Sequence, residues 1–199
     1  MLSEEEFNEM MVKAAQITAE YPRLRLRCML AILKRVGKRR GELAQLELTD
    51  IKLSGENLSI TFTVEKKRSK SLDQLGLRRN KQIPLTDPLT LPIIQYLMWM
   101  KAHQPTCRYL FPSTTNVFGL HTAFDERKHL SGRQILRLVQ SVNARAWVHL
   151  FRETQGAEIA RMDTSLLSVY KVMMRLDLES EASAWRYIRR YAVDVIKTE

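Results

Sequence analysis

Cysteine is nearly absent from this chain. Cys28 and Cys107 stand alone, with no CxxC pattern, so the sequence encodes neither a disulfide framework nor a cysteine-based metal site. Two reduced thiols fit a cytoplasmic or nuclear setting. Histidine is equally sparse: residues 103, 121, 129 and 149 show no HExxH spacing, and no GxxxxGK[ST] loop occurs. These absences predict no metal and no nucleotide cofactor. No apolar run approaches the roughly 20 residues of a membrane span, and the acidic start MLSEEEFNEM is unlike a secretory signal. Only 7 Gly and 6 Pro interrupt the chain, which favours long helices over a loop-rich or disordered polypeptide.

What is abundant is positive charge. The 199 residues carry 32 Lys and Arg against 22 Asp and Glu, a net charge of +10. Such an excess selects polyanionic partners, with nucleic acid ahead of a membrane surface. The length and the 45% hydrophobic content suit one good-sized domain, and no linker or repeat divides it.

The pattern predicts a mostly α protein with a small antiparallel β-sheet (α+β). Ser3 followed by Glu4–Glu6 reads as an N-cap and an acidic first turn, opening a helix to about Ala19. A second helix spans LRLRCMLAILKRV and ends at Gly37. RGELAQLELTDIKL reads as a third short helix running into a turn. Leu58, Ile60, Phe62 and Val64 alternate with polar residues as in a half-buried strand, and KQIPL supplies its return partner. The intervening tip, EKKRSKSLDQLGLRRNK, is strongly basic. A helix over DPLTLPIIQYLMWMKAH and an apolar RYLFPS lead to a loop holding Gly119 and His121. Ser131 caps a further amphipathic helix, whose Arg133, Gln134 and Arg137 form a polar side suited to DNA. From about His149 the chain reads as helix after helix.

Metal-free chemistry on a phosphodiester needs a nucleophile held in line, cations around the phosphate, and a proton for the departing oxygen. Arginine suits the second task, because its planar fork matches phosphate oxygens and stays charged. HLFRETQG places His149 and Arg152 one helical turn apart, and WRYIRRY sets Tyr187 and Tyr191 among arginines.

These segments resemble the tyrosine recombinases, the phage-type integrases and their Xer relatives. VGKRRGELAQLELTDIKL is similar to that family's first box, roughly TGLRxSELxxLxxxDI, and the match puts its first arginine on Arg39. YLFPS, LSGRQILRLVQ and HLFRETQG follow in the family's order, with its H-x-x-R on His149 and Arg152. The third box, roughly LGHxxxxTTxxY, aligns with LDLESEASAWRY and puts the nucleophile on Tyr187.

The resemblance implies a site-specific DNA recombinase or integrase, in which Tyr187 attacks a phosphodiester, forms a 3′-phosphotyrosyl link and frees a 5′-hydroxyl. Arg39 and Arg152 stabilise the phosphate in that scheme, and His149 orients it or relays the tyrosine proton. A lysine of the basic hairpin acts at the leaving oxygen. Strand parity favours Lys67 over Lys66, with Arg68 and Lys70 as neighbouring DNA contacts. The resemblance further implies a homotetramer on double-stranded DNA, no cofactor, and a mobile-element, viral or nucleoid-associated setting. Residues 1–199 correspond to the catalytic domain alone, without the family's N-terminal DNA clamp.

Two positions depart from the pattern. Glu153 follows Arg152 where the family usually has histidine, and Leu178 occupies the third-box donor position. Arg175 or Trp185 are the candidate replacements for that donor. The alternative reading is a recombinase-like DNA-binding regulator or assembly factor with impaired catalysis.

Overall fold

The computed structural model describes residues 1–64, 77–117, 121–162, 166–178 and 180–196. Helix α1 (Glu4–Ala15) opens with a full capping box: the Ser3 hydroxyl accepts from the Glu6 backbone N–H, and Glu6 accepts from the Ser3 N–H. It stops at Ala15, four residues before the predicted end. Helix α2 (Glu20–Val36) is the central element, with Leu26, Met29, Leu30, Ile32 and Leu33 all buried. It ends where expected, at Gly37 in the left-handed conformation (φ 59°). Glycine is required there for a second reason: a Cβ would run into the Gln155 carboxamide, whose Nε2 donates to Lys34 O at 2.5 Å.

The predicted third helix is shorter than its sequence pattern implies. Helix α3 (Arg40–Ala44) is followed by a 3-10 turn at Leu48–Asp50 and then by strand β1 (Ile51–Ser54). Strands β1, β2 (Asn57–Thr63) and β3 (Arg78–Pro84) make an antiparallel sheet in that order, so the expected hairpin has a third strand. Ser54 pairs with Asn57 across a two-residue loop whose first residue, Gly55, has φ 57°. Leu58, Ile60 and Phe62 of β2 point into the core at 0% exposure, as the alternation predicted.

Helix α4 (Thr90–His103) packs along α2. The segment expected to be a loop is a second antiparallel pair, β4 (Pro112–Val117) with β5 (His121–His129). Phe124 of β5 holds it to the body by ring contacts with Tyr21 (4.7 Å) and Trp99 (6.2 Å). Helix α5 (Gly132–Gln140) starts on a Ser131–Gln134 capping box. Helices α6 (Val148–Met162), α7 (Leu166–Leu176) and α8 (Glu181–Ile196) complete the chain. The first half of α6 belongs to the main core. Its second half forms a smaller apolar cluster with Val169, Val172 and Leu176 of α7 and Ala184 and Ile188 of α8.

Candidate active site

The turn from α2 into α3 presents Arg39. Gly37 reverses the chain, Lys38 dives inward over the Phe62 ring (4.9 Å), and Arg39 emerges beside the start of α3. The buried Glu42 carboxylate clamps Arg39 twice. One oxygen accepts from the backbone N–H at 3.1 Å and the other from Nη1 at 3.2 Å. The Arg39 side chain is 44% exposed, so its remaining donors face outward from a fixed base.

His149 sits in the first turn of α6, 52% exposed, with Nε2 at 3.8 Å from Glu153 Oε1 one turn on. Helix α8 brings Tyr187 against the same helix. The close approach depends on Gly156, where a Cβ would lie 3.0–3.2 Å from the Tyr187 Cβ and ring. The His149 and Tyr187 rings are 6.3 Å apart. Arg39, His149, Glu153, Leu178, Arg186 and Tyr187 share a recess of about 330 Å³. Replacing Gly156 with alanine is therefore expected to displace the tyrosine ring by a few tenths of an ångström. A misplacement of about 1 Å can cost on the order of 100-fold in rate, so a shift this small should cost less than that. If the recess cuts DNA, single-turnover cleavage alongside a denaturation curve checks this: the rate should fall more than the stability does.

The resemblance assigns Arg152 to the phosphate. It is 1% exposed and lies outside the recess, with Nη1 donating to Gly37 O at 3.1 Å and Nη2 to Leu176 O. It thus ties α6 to the carbonyl ends of α2 and α7, where cations are favoured by the helix dipole.

Other cations converge on the end of α7. Lys81 of β3 donates to Met174 O (2.9 Å), Arg175 O (3.2 Å) and Asp177 Oδ1 (2.9 Å), and Lys38 pairs with the other Asp177 oxygen. Asp177 holds φ 49°, unusual for a residue other than glycine, and delivers Leu178 into the recess. Burial alone raises the Asp177 carboxyl. The hydrogen bonds and charges of Lys38 and Lys81 outweigh it and hold the group below its ordinary 3.8. Burial also pulls the Lys81 ammonium down, against the opposing effect of Asp177.

A carboxyl depressed in the folded state stabilises the fold above its unfolded value, and that stability is lost as pH falls through the folded value. Asp177→Asn should therefore cost about 3 kcal/mol at neutral pH, by leaving the buried Lys38 without its carboxylate. Urea titrations of both proteins should show the difference shrinking as the pH drops below 3.8.

Neither expected substitute for the third-box donor lines the recess. Arg175 Nη2 donates to Arg35 O (2.7 Å), and Trp185 packs in the small apolar cluster with the Arg189 guanidinium 5.9 Å above its ring. Leu178 itself occupies that place. The recess includes Glu153, which the sequence marked as a departure from the family's pattern, and Arg186 and Ser183, which sequence reasoning did not single out as site residues. Ser183 had a signal, since it lies one helical turn before Tyr187.

On α5, Arg133 and Arg137 are exposed, whereas Gln134 is engaged at the helix start. Its Oε1 accepts from the Ser131 N–H (2.8 Å) and hydroxyl (2.9 Å), so only its amide nitrogen is left to donate outward. Lys66, Lys67, Arg68 and Lys70 lie outside the described residues.

No protein-family model and no curated protein matches the sequence. The fold does match solved structures. The XerH site-specific recombinase bound to difH substrate in a pre-cleavage complex aligns at TM-score 0.64 and 16% identity, over 94% of this chain and 49% of that one. XerH bound to palindromic difH substrate in a post-cleavage complex gives 0.65 and 14%, over 99% and 51%. XerA recombinase gives 0.63 and 18%, over 94% and 57%. The chain spans about half the length of these proteins. Its architecture, mostly helical with small antiparallel sheets, is the catalytic-domain fold of the site-specific recombinases.

Proposed function

We propose that this chain is a tyrosine recombinase catalytic domain that cuts and rejoins double-stranded DNA through a phosphotyrosyl intermediate. The observation that carries the reading is convergence. Arg39, His149 and Tyr187 come from three distant segments and meet in one recess, on a fold shared with site-specific recombinases.

In this scheme the Tyr187 hydroxyl oxygen attacks the phosphorus as its proton passes to His149 or Glu153. Arg39 carries the charge that develops on the phosphate oxygens. Arg186, the second guanidinium of the recess, takes the place that the family pattern gives to Arg152. The bond to the 5′ oxygen breaks, and Lys67 or Lys66 protonates it. Rejoining reverses these steps, so bond energy is conserved and no ATP is consumed. Assembly as a tetramer on two duplexes belongs to the same proposal.

Two features favour a second reading, a DNA-binding protein with impaired catalysis. Leu178 supplies no hydrogen-bond donor to the recess, and the Arg152 terminal nitrogens are taken up by backbone carbonyls. Trapping on a pool of nicked and phosphorothiolate duplexes separates the two. Cleavage yields an SDS-resistant adduct that Arg39→Ala and His149→Ala variants form more slowly. The second reading yields salt-sensitive DNA binding without adduct.

A further inference from the structure

A second depression adjoins the tyrosine recess and shares Arg39 and His149 with it. This cleft, of about 450 Å³, is lined by Trp147 and Leu136 together with Arg39, Arg40 and Gly41. It continues past Gly132 to Arg133. Arg40 is fixed along the wall because Gly132 has no side chain. A Cβ there would lie 3.0 Å from the Arg40 Cγ and Cδ, so the aliphatic stem rests directly on the start of α5. Among the described residues lining the cleft and its continuation, three are arginines and none is acidic. Among the described residues, no carboxylate pairs with Arg40 or Arg133.

Trp147 is the unusual member. Its indole, immediately before α6, is 43% exposed and lines the cleft. Its ring N–H has no hydrogen-bond partner among the described residues. A planar aromatic that shares a cleft with guanidinium groups matches a nucleotide, with the base stacked on the ring and the phosphate on the cations. A paired base in a duplex is already stacked on its neighbours and offers no free face. The matching ligand is therefore an unpaired nucleotide.

We propose that this cleft holds one unstacked DNA nucleotide next to the phosphodiester presented to Tyr187, with its base on Trp147 and its phosphate on Arg40. The proposal rests on the DNA-cleaving reading above. It adds a base-holding subsite that keeps the duplex open beside the reacting phosphate, where an extruded base is held by stacking rather than read by sequence.

The test compares binding of two labelled duplexes of the same sequence at fixed salt, one fully paired and one with a single extra unpaired thymine. Wild type should bind the bulged duplex about tenfold more tightly. Trp147→Phe should keep that preference, whereas Trp147→Leu, similar in bulk but without a π face, should lose it and still bind the paired duplex as wild type does. Equal preference in Trp147→Leu and wild type, or no preference in wild type with duplex binding intact, overturns the subsite and leaves the DNA reading standing. Failure of wild type to bind either duplex at low salt overturns both.

Discussion

Tyr187→Phe should abolish the covalent DNA adduct while leaving the protein folded and DNA-bound. The phenyl ring keeps the packing against Gly156, so the α6–α8 contact survives. What disappears is the hydroxyl oxygen that attacks phosphorus in the proposed scheme. Loss of a nucleophile from a working constellation costs at least about 10,000-fold, because no neighbouring group takes over. Affinity for uncleaved DNA should change by less than about tenfold, the worth of a single hydrogen bond. Tyr191→Phe, one turn further along α8, should cleave as wild type does. Adduct formation measured under single-turnover conditions, with filter binding in parallel, distinguishes these outcomes.

The second large effect concerns Arg152, and it is an effect on folding. Arg152→Met should destabilise the protein by about 3–5 kcal/mol. The change removes two charge-assisted hydrogen bonds and leaves the carbonyls of Gly37 and Leu176 buried without donors. A loss of that size approaches the whole stability of a modest domain. Its local consequence is loss of one tie on the α7 end, which leaves Lys81 and Lys38 alone to hold Asp177 and, next to it, Leu178 of the recess. Arg39→Ala makes the contrast. Its side chain is 44% exposed but holds the buried Glu42 carboxylate, so stability should fall by about 1–2 kcal/mol, less than for Arg152→Met, while cleavage should fall on the order of 100- to 1000-fold through loss of phosphate stabilisation. Denaturant midpoints and cleavage rates on both variants check the pair. An Arg152→Met protein as stable as wild type but unable to cleave would place that guanidinium at the phosphate instead.

The Arg152 result shows where sequence reasoning stopped. HxxR spacing puts two side chains on one side of a helix, which is correct for α6. It says nothing about depth. His149 lies in the first, exposed turn, whereas α6 is buried continuously from Leu150 to Ala157, so the next turn carries Arg152 into the protein interior. The features that could be read were local ones: the Ser3 and Ser131 caps, the Gly37 stop, and the Leu58–Ile60–Phe62 alternation. Each rests on chemistry within a few residues.

Strand β1 escaped because it is four residues long and exposes Leu53, so it shows no buried alternation. The Gly55 turn was its one clear signal. The β4–β5 pair escaped because its strands are largely polar and held by Phe124 through rings distant in sequence. Arg186 escaped for a different reason. It is one of several arginines around Tyr187, and only the crossing of α8 over α6 selects it for the recess.

The most direct test of the central claim is to digest a trapped protein–DNA adduct and identify the modified peptide by mass spectrometry. The account predicts one nucleotide-bearing peptide, with the 3′-phosphate linked to Tyr187. Attachment at Tyr191 or another residue, or no covalent product from any duplex that the protein binds, would contradict it.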